Sequence, residues 1–446
     1  MNISKEVIDD LNAVIKVHVS PEDYEPKVES ALREYKKKVN LPGFRKGHVP
    51  MGMVKKMAGK SVLAEELNKI LSESLQKYIS EEKLEILGNP LPKEDTKIDF
   101  ENQTEFDFEY EVGLAPKFEV NLDDKLKVEK YKVKVDDKLI EKYVDQARRR
   151  YGKMTNPEVV EEKDMVYGTF QELNDDGSVK EDGIKHQSII VIEEITDKKL
   201  QKEFIGKMVG DAVVLDPHVI SSNEIDAAAA LGIKTEEFKT LKSNFKFTIE
   251  KINRLIPAEI NQDFFDKIYG PNVVKSEEEF RNKIKEEIEK GLELDSDRKF
   301  KMDVQDKLID KLKLKLPDAF LKKWILASNE KPISPKQVEK EYDLYAKSLI
   351  WQIIENKIFK NYDVKVDFDE VVNYTIELIK NQMGEMAANM SEEELKNTAH
   401  RVLQNQEEAR NIYGQLYDNK LMELFKEKVN IKEKEISYDE FVKLFN

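Results

Sequence analysis

The feature that most constrains this chain is a change in the period of its apolar residues along its length. Over residues 11–19, Leu11, Ala13, Ile15, Val17 and Val19 alternate with Asn12, Lys16 and His18 among the polar positions, and residues 104–112 alternate in the same way. A period of two places such residues on one face of a half-buried strand. Between these runs, Tyr24, Val28, Leu32 and Tyr35, and then Leu63, Leu67, Ile70, Leu71, Leu75 and Tyr78, keep helical spacing. Short β-rich runs return at 166–173, 188–192, 212–215 and 245–252, punctuated by Gly, Asp and Pro turn residues. From about residue 258 the spacing is helical to the end, with the run 368–390 read as one such stretch. Capping-box patterns at Ser276/Glu279 and Ser391/Glu394 precede long amphipathic segments. No single sheet and no single bundle can satisfy three such regimes, and 446 residues are enough for about three domains. The predicted architecture is therefore α+β and multidomain. It has an α+β unit at 1–115, a connector with a strand and a helix at 116–158, an antiparallel β-rich domain at 159–256 and an all-α domain at 257–446.

Composition narrows the function. The formal charge of -15 makes the chain as a whole repel nucleic acid and anionic lipid, so any such contact needs a local basic patch. With no cysteine there is no disulfide, thiolate nucleophile or thiolate metal site, which suits a reducing compartment. No signal-peptide pattern opens the sequence and no run of about 18 apolar residues occurs, so a cytoplasmic protein without a membrane partner is expected. Histidines 18, 48, 186, 218 and 400 never stand at i, i+4, and the reading is scattered structural or surface histidines with no metal site. Residues 270–276, GPNVVKS, lack the second glycine of a phosphate loop. Asp295 and Asp297 begin like a calcium loop, but Phe300 stands where that loop turns on glycine, and an exposed helix junction is the reading. No Gly-x-Ser-x-Gly elbow is present. No cofactor is expected.

Against this background one segment stands out. Residues 33–60 hold nine Lys or Arg and one acidic residue, Glu34, a local balance of +8. Its centre, LPGFRKGHVP at 41–50, brackets Phe44, Arg45 and Lys46 with glycines and prolines that suit a stiff projecting turn. Such a surface can hold phosphates in a salt-dependent way, with an aromatic handle beside the charges. A solvated basic turn without a partner fits the same pattern.

The string at 41–50 resembles the signature loop of the trigger factor family, bacterial ribosome-associated chaperones, with His48 where lysine is more usual. The resemblance extends over nearly the whole chain, through FKFTIEKI at 245–252, IPAEINQDFF at 256–265, Tyr269 and Gly270, and LPDAF at 316–320. It implies that 1–115 is a ribosome-binding domain in which Gly43, Phe44, Arg45, Lys46, Gly47, His48, Val49 and Pro50 face ribosomal protein and RNA of the large subunit beside the exit tunnel. It implies an FKBP-like fold of the prolyl isomerase type for 159–256, and for 257–446 a helical domain whose arms cradle nascent and unfolded polypeptides without ATP. Some relatives dimerise off the ribosome, so a homodimer of the free chain stays open, and no DNA partner is expected.

Within the middle domain, FIGKMVGD at 204–211, Asp164, Val166 and Phe170 resemble family positions. The Pro-Gly-Phe expected just before that turn is replaced by DKKLQKE at 197–203, and AAAAL at 227–231 stands where the family often has a pocket-covering loop. Tyr167, Phe170, Phe204, Ile205 and Phe247 are the candidate lining of an apolar isomerase pocket, with ordinary core as the alternative. A weak isomerase or an inactive substrate-holding module is expected. Met383, Met386 and Met390 are the candidate client contacts, since flexible thioethers suit promiscuous surfaces, with core again the alternative. Two other functions remain in play: a prolyl isomerase acting mainly as an enzyme on unfolded proteins, and an RNA-binding protein that uses the 33–60 patch outside translation. A periplasmic chaperone of similar helical architecture is disfavoured by the absent signal peptide.

Overall fold

The computed structural model describes residues 1–42, 44–93, 103–123, 125–329 and 331–445. The chain forms two compact units, each discontinuous in sequence: Met1–Lys130 with Asp297–Glu433, and Tyr131–Ser296 with Lys434–Asn446. The fold class is the multidomain α+β expected from the changing period.

The first unit begins with β1 (Asn2–Val7), β2 (Asn12–Val19), α1 (Pro21–Lys38), α2 (Met51–Glu81), β3 (Ile86–Pro92) and β4 (Phe106–Leu114). The strands form an antiparallel sheet of order β1-β2-β4-β3. Ala13, Ile15, Val17 and Val19 of β2 are fully buried, and they pack in one cluster with Leu67, Ile70, Leu71 and Leu75 of α2 and with Phe106 and Val112 of β4. At the start of α1, Ser20 donates both its N–H (2.9 Å) and its hydroxyl (2.7 Å) to Asp23, and Pro21 fits the first helical position.

β5 (Lys127–Lys134) leads into the second unit, where α3 (Asp137–Arg150), β6 (Lys153–Thr155), β7 (Met165–Glu172), β8 (Lys185–Val191), α4 (Lys198–Phe204), β9 (Ala212–Leu215), α5 (Glu224–Ala230), α6 (Thr235–Phe238), β10 (Phe245–Ile256) and α7 (Gln262–Tyr269) follow. The sheet has order β6-β10-β7-β8, with β9 also paired to β10, and every pairing is antiparallel. β6 lies upstream of residue 159, so the strands of this sheet begin at Lys153. Asp164, fully buried just before β7, takes a bidentate pair from Arg254 of β10 (2.7 and 2.8 Å), which pins the two long strands together at one end.

α8 (Glu277–Leu312), α9 (Asp318–Ser328), α10 (Pro335–Asn361), α11 (Phe368–Met383), α12 (Glu385–Ala388), α13 (Glu392–Leu403) and α14 (Gln406–Lys428) supply the helices, followed by β11 (Asn430–Ser437) and α15 (Tyr438–Val442). The Ser391/Glu394 box is formed in both directions. At the other pattern Glu279 donates its N–H to the Ser276 hydroxyl, while its carboxylate accepts from Lys275 N–H.

Three expectations change here. The chain is not helical to its end, because β11 pairs with β5 in a two-stranded sheet. Residues 368–390 are not one helix, since Gly384, at φ 54°, stops α11 after Met383. Asp297 lies inside the continuous α8 rather than at an exposed junction, paired with Lys130 (2.8 Å) and Lys426 (2.6 Å).

Burial pushes the Asp23 carboxyl up, but hydrogen bonds from the N-terminal amine (2.7 Å) and Ser20 outweigh it and hold the group at about 2, below its ordinary 3.8. A depressed carboxylate stabilises the fold fully above its unfolded value and loses that contribution as pH falls through the folded one. Asp23→Asn should therefore cost about 1 kcal/mol near neutrality and flatten the acid limb between pH 3.8 and about 2. Urea unfolding across that window checks both. Phe247→Ala, in the core of the middle sheet, should lose about 3–5 kcal/mol in the same measurement.

Candidate functional site

The basic segment occupies the tip of the α1–α2 hairpin. Val49, the last residue but one before α2, is fully buried and packs with Leu32 of α1 and with Val54, Ala58 and Val62 of α2. This small cluster ties the loop down at one point and leaves the rest outside. Phe44 N–H donates to the Leu41 carbonyl (3.0 Å), and His48 N–H donates to the Arg45 carbonyl (2.9 Å), giving two successive turns. In the second, Gly47 holds the third position at φ 82°, which a type II turn requires and other residues resist. Pro42 suits the second position of the first turn. Gly43 lies outside the described residues. The result exposes Phe44, Arg45, Lys46, His48 and Pro50, with Phe44 37% exposed despite its apolar ring.

Charge at the tip is largely uncompensated. Arg33 pairs with Glu29 (2.9 Å) and Lys37 with Glu34 (2.5 Å). The bond from Lys37, helped by the charge of Lys38, holds the Glu34 carboxyl below the usual carboxylate range. Lys36, Arg45, Lys46, Lys55 and Lys56 have no ion-pair partner among the described residues. The first turn of α2 carries no acidic side chain, so the positive end of that helix adds to the same field. Beside these cations, Met53 and Met57 of α2 and Tyr35 of α1 are exposed. Sequence reading passed over the two methionines and placed Tyr35 in the apolar spacing of α1, where it is instead exposed. The available signal was that Met53 and Met57, at i and i+4, fall off the seam defined by Val54, Ala58 and Val62. The tip is thus a cationic surface with apolar contacts set among its charges, suited to an anionic and partly apolar partner.

The five residues considered for an isomerase pocket do not line one opening. Phe170, Phe204 and Phe247 are fully buried and pack ring to ring, with centroids 4.6 Å apart for Phe170–Phe247 and 5.9 Å for Phe204–Phe247. Rings without exposed surface are core, and they belong to one cluster with Val166, Phe245 and Ile249. Tyr167 stands three residues from Phe170 on β7, hence on the opposite face of the sheet, where its hydroxyl donates to Gln187 (3.3 Å). Ile205 is exposed at the end of α4, near exposed Met208 and Val209, and Met208 pairs with the exposed Val159 in an isolated bridge. The alanine run 227–231 forms α5 and its end, with Ala227, Ala228, Ala230 and Leu231 buried in the same core.

The methionines also part company. Met383 and Met390 pack at the edge of a cluster with Ile379, Leu395 and Ala399, whereas Met386, beyond the break at Gly384, is 68% exposed. They do not form one stripe.

Among the described residues no three His, Asp or Glu side chains converge as a metal site, and no helix is long and apolar enough to cross a membrane.

Three family models match the chain in order. That described as bacterial trigger factor protein covers residues 1–147, the FKBP-like domain of probable trigger factor covers 154–257, and the C-terminal domain of probable trigger factor covers 296–445. The trigger factor of Francisella tularensis subsp. mediasiatica is 22% identical, over 99% of this chain and 98% of its own. That of Chlorobaculum tepidum is 24% identical over 80% of this chain and 82% of its own, and that of Pelagibacter ubique 22% over 100% and 89%. A solved structure of the trigger factor chaperone aligns over 95% of this chain and 99% of its own at 18% identity, with a TM-score of 0.42, too low to support an argument from shape. With its N-terminal, FKBP-like and C-terminal domains matched in sequence order, the chain belongs to the trigger factor family.

Proposed function

We propose that this chain is an ATP-independent cytoplasmic chaperone that docks beside the exit tunnel of the large ribosomal subunit and holds newly made chains while they fold. The observation that carries this reading is the anchored turn at 44–48, which presents Phe44, Arg45 and Lys46 outward from a tip whose neighbouring Lys55 and Lys56 are also unpaired. Ribosomal RNA beside ribosomal protein offers the anionic, partly apolar partner that such a surface fits. The middle domain acts mainly as a holding module. Catalysis of prolyl rotation needs an apolar cavity open to the chain, and Phe170, Phe204 and Phe247 instead fill one another's space. Client contact in this domain falls on exposed Val159, Ile205, Met208 and Val209. In the helical part it falls on Met386, with Met383 and Met390 at the margin of their cluster.

Co-sedimentation with intact ribosomes across a salt series tests the docking. Wild type should pellet with the large subunit. Phe44→Ala, Arg45→Ala, Lys46→Ala combined should remain in solution with unchanged thermal unfolding. Arg45→Ala, Lys46→Ala alone should lower the salt slope by about 2. Both proteins staying in solution at low salt would sink the docking, and equal affinity for arbitrary RNA would favour the RNA-binding reading. A proline-peptide assay separates holding from catalysis. Turnover should be low, and Phe170→Ala should lose fold stability together with whatever turnover there is. Strong turnover, lost in a Phe170→Ala protein that stays folded, would support the enzyme reading instead.

A further inference from the structure

The edge of the N-terminal sheet carries a feature that the loop at 41–50 does not use. On β3 and β4, Leu87 faces Gly113 and Leu91 faces Glu111, so Gly88, Asn89 and Pro90 together stand opposite the single residue Val112. Such a bulge bends an edge strand and breaks its ladder. Gly88 sits there at φ 76°. A Cβ on Gly88 would lie 2.8–2.9 Å from three atoms of the Trp324 indole, and one on Gly113 would lie 2.6 Å from Phe320 and 2.9 Å from Pro317. Phe320 and Trp324 are at i and i+4 on α9, hence on one face of that helix. Two aromatic rings one helical turn apart therefore rest on two glycines of neighbouring strands.

We propose that this pair of glycine seats is a built intramolecular docking surface for α9, and that it works as a joint that opens without unfolding the sheet or the helices it connects. The fit is specific, because a side chain at either glycine would expel its ring. The seal is incomplete, because the Trp324 Nε1 is buried with no hydrogen-bond partner among the described residues. A buried N–H left unpaired opposes closure and regains water on opening. The ion pairs that accompany the contact, Lys323–Glu111 (2.9 Å) and Lys360–Glu85 (3.7 Å), are exposed and contribute little. The sheet has a separate core with α2, and α9 also packs on Tyr342 of α10, so what opens when the rings lift is the strip where Leu87, Leu91 and Ala115 meet α9. The joint stands whether or not the loop at 41–50 binds ribosomes.

The test uses the full chain in a Trp351→Phe background, so that Trp324 alone reports. Gly88→Ala and Gly113→Ala should each shift the docking equilibrium roughly tenfold or more toward the open form. This should be read as a red-shifted, more quenchable Trp324 emission for Gly88→Ala, and as matching losses of amide protection in residues 86–92 and 317–325 for both. Protection in β2 and the C-terminal half of α2 should stay at the wild-type level. Trp324→Ala, which adds no clash, should raise exchange in residues 86–92 alone among the strands. Unchanged Trp324 emission in Gly88→Ala would overturn the seat, and loss of protection across the whole sheet in Trp324→Ala would overturn the joint.

Discussion

The placement of the basic tip depends on one helix serving two cores. α2 runs 31 residues, roughly 46 Å at 1.5 Å per residue. Its C-terminal half lends Leu67, Ile70, Leu71 and Leu75 to the sheet core, and its N-terminal half lends Val54, Ala58 and Val62 to the small cluster that holds Leu32 and Val49. The first cluster fixes the direction of the helix. The second closes the hairpin and anchors the loop at one fully buried valine. Loops carry binding residues well when a rigid scaffold fixes their ends, and here both ends are set by side chains of the same two helices.

Electrostatics act locally on such a tip. The chain has a net charge of -15, yet charges more than about 8–10 Å apart in physiological salt are largely screened, so the overall excess of carboxylates weakens the tip little. Arg33 and Lys37 pair with Glu29 and Glu34 of α1, and both pairs are exposed and shallow. A polyanion would not have to break a strong internal pair to reach Arg45, Lys46, Lys55 or Lys56. For such a partner, the exposed rings and thioethers between them would add contacts that salt does not screen.

What the sequence disclosed, and what it hid, follows from how each element buries its side chains. β2, β4, β7 and β10 were legible because they alternate with one face in a core, as Ile15 and Val17 or Phe245 and Phe247 do. β1, β3 and β11 were not. NISKEV and NIKEKEIS bury almost nothing, and the Gly-Asn-Pro bulge interrupts β3, so their strand character comes from pairing with a partner that a local window does not contain. The exposed basic turn at 44–48 was legible because glycine, proline and charge act locally. The proposed isomerase lining was not, because counting aromatic residues ignores parity: Tyr167 and Phe170 differ by three on a strand and so face opposite ways. Likewise Met383, Met386 and Met390 share a helical period only if the helix continues through Gly384, and it does not.

The same parity bears on what the middle domain can do. Its sheet has one inward face, and Phe170, Phe245 and Phe247 of β7 and β10 meet Phe204 of α4 there. A proline ring entering between them would have to displace a phenylalanine, and opening such a cluster costs about as much as truncating one of its members, roughly 3–5 kcal/mol. That is a large part of the stability a domain of this size possesses. Core and catalytic pocket therefore compete for one set of rings, and the alanines of α5 with Leu231 at its end fill the same interior. On the outside of the domain, Ile205 at the end of α4 and Met208 and Val209 in the turn after it stand free of the interior. Under the proposed holding role, contacts there would be shallow and individually weak, so a bound segment would exchange quickly without a nucleotide to release it.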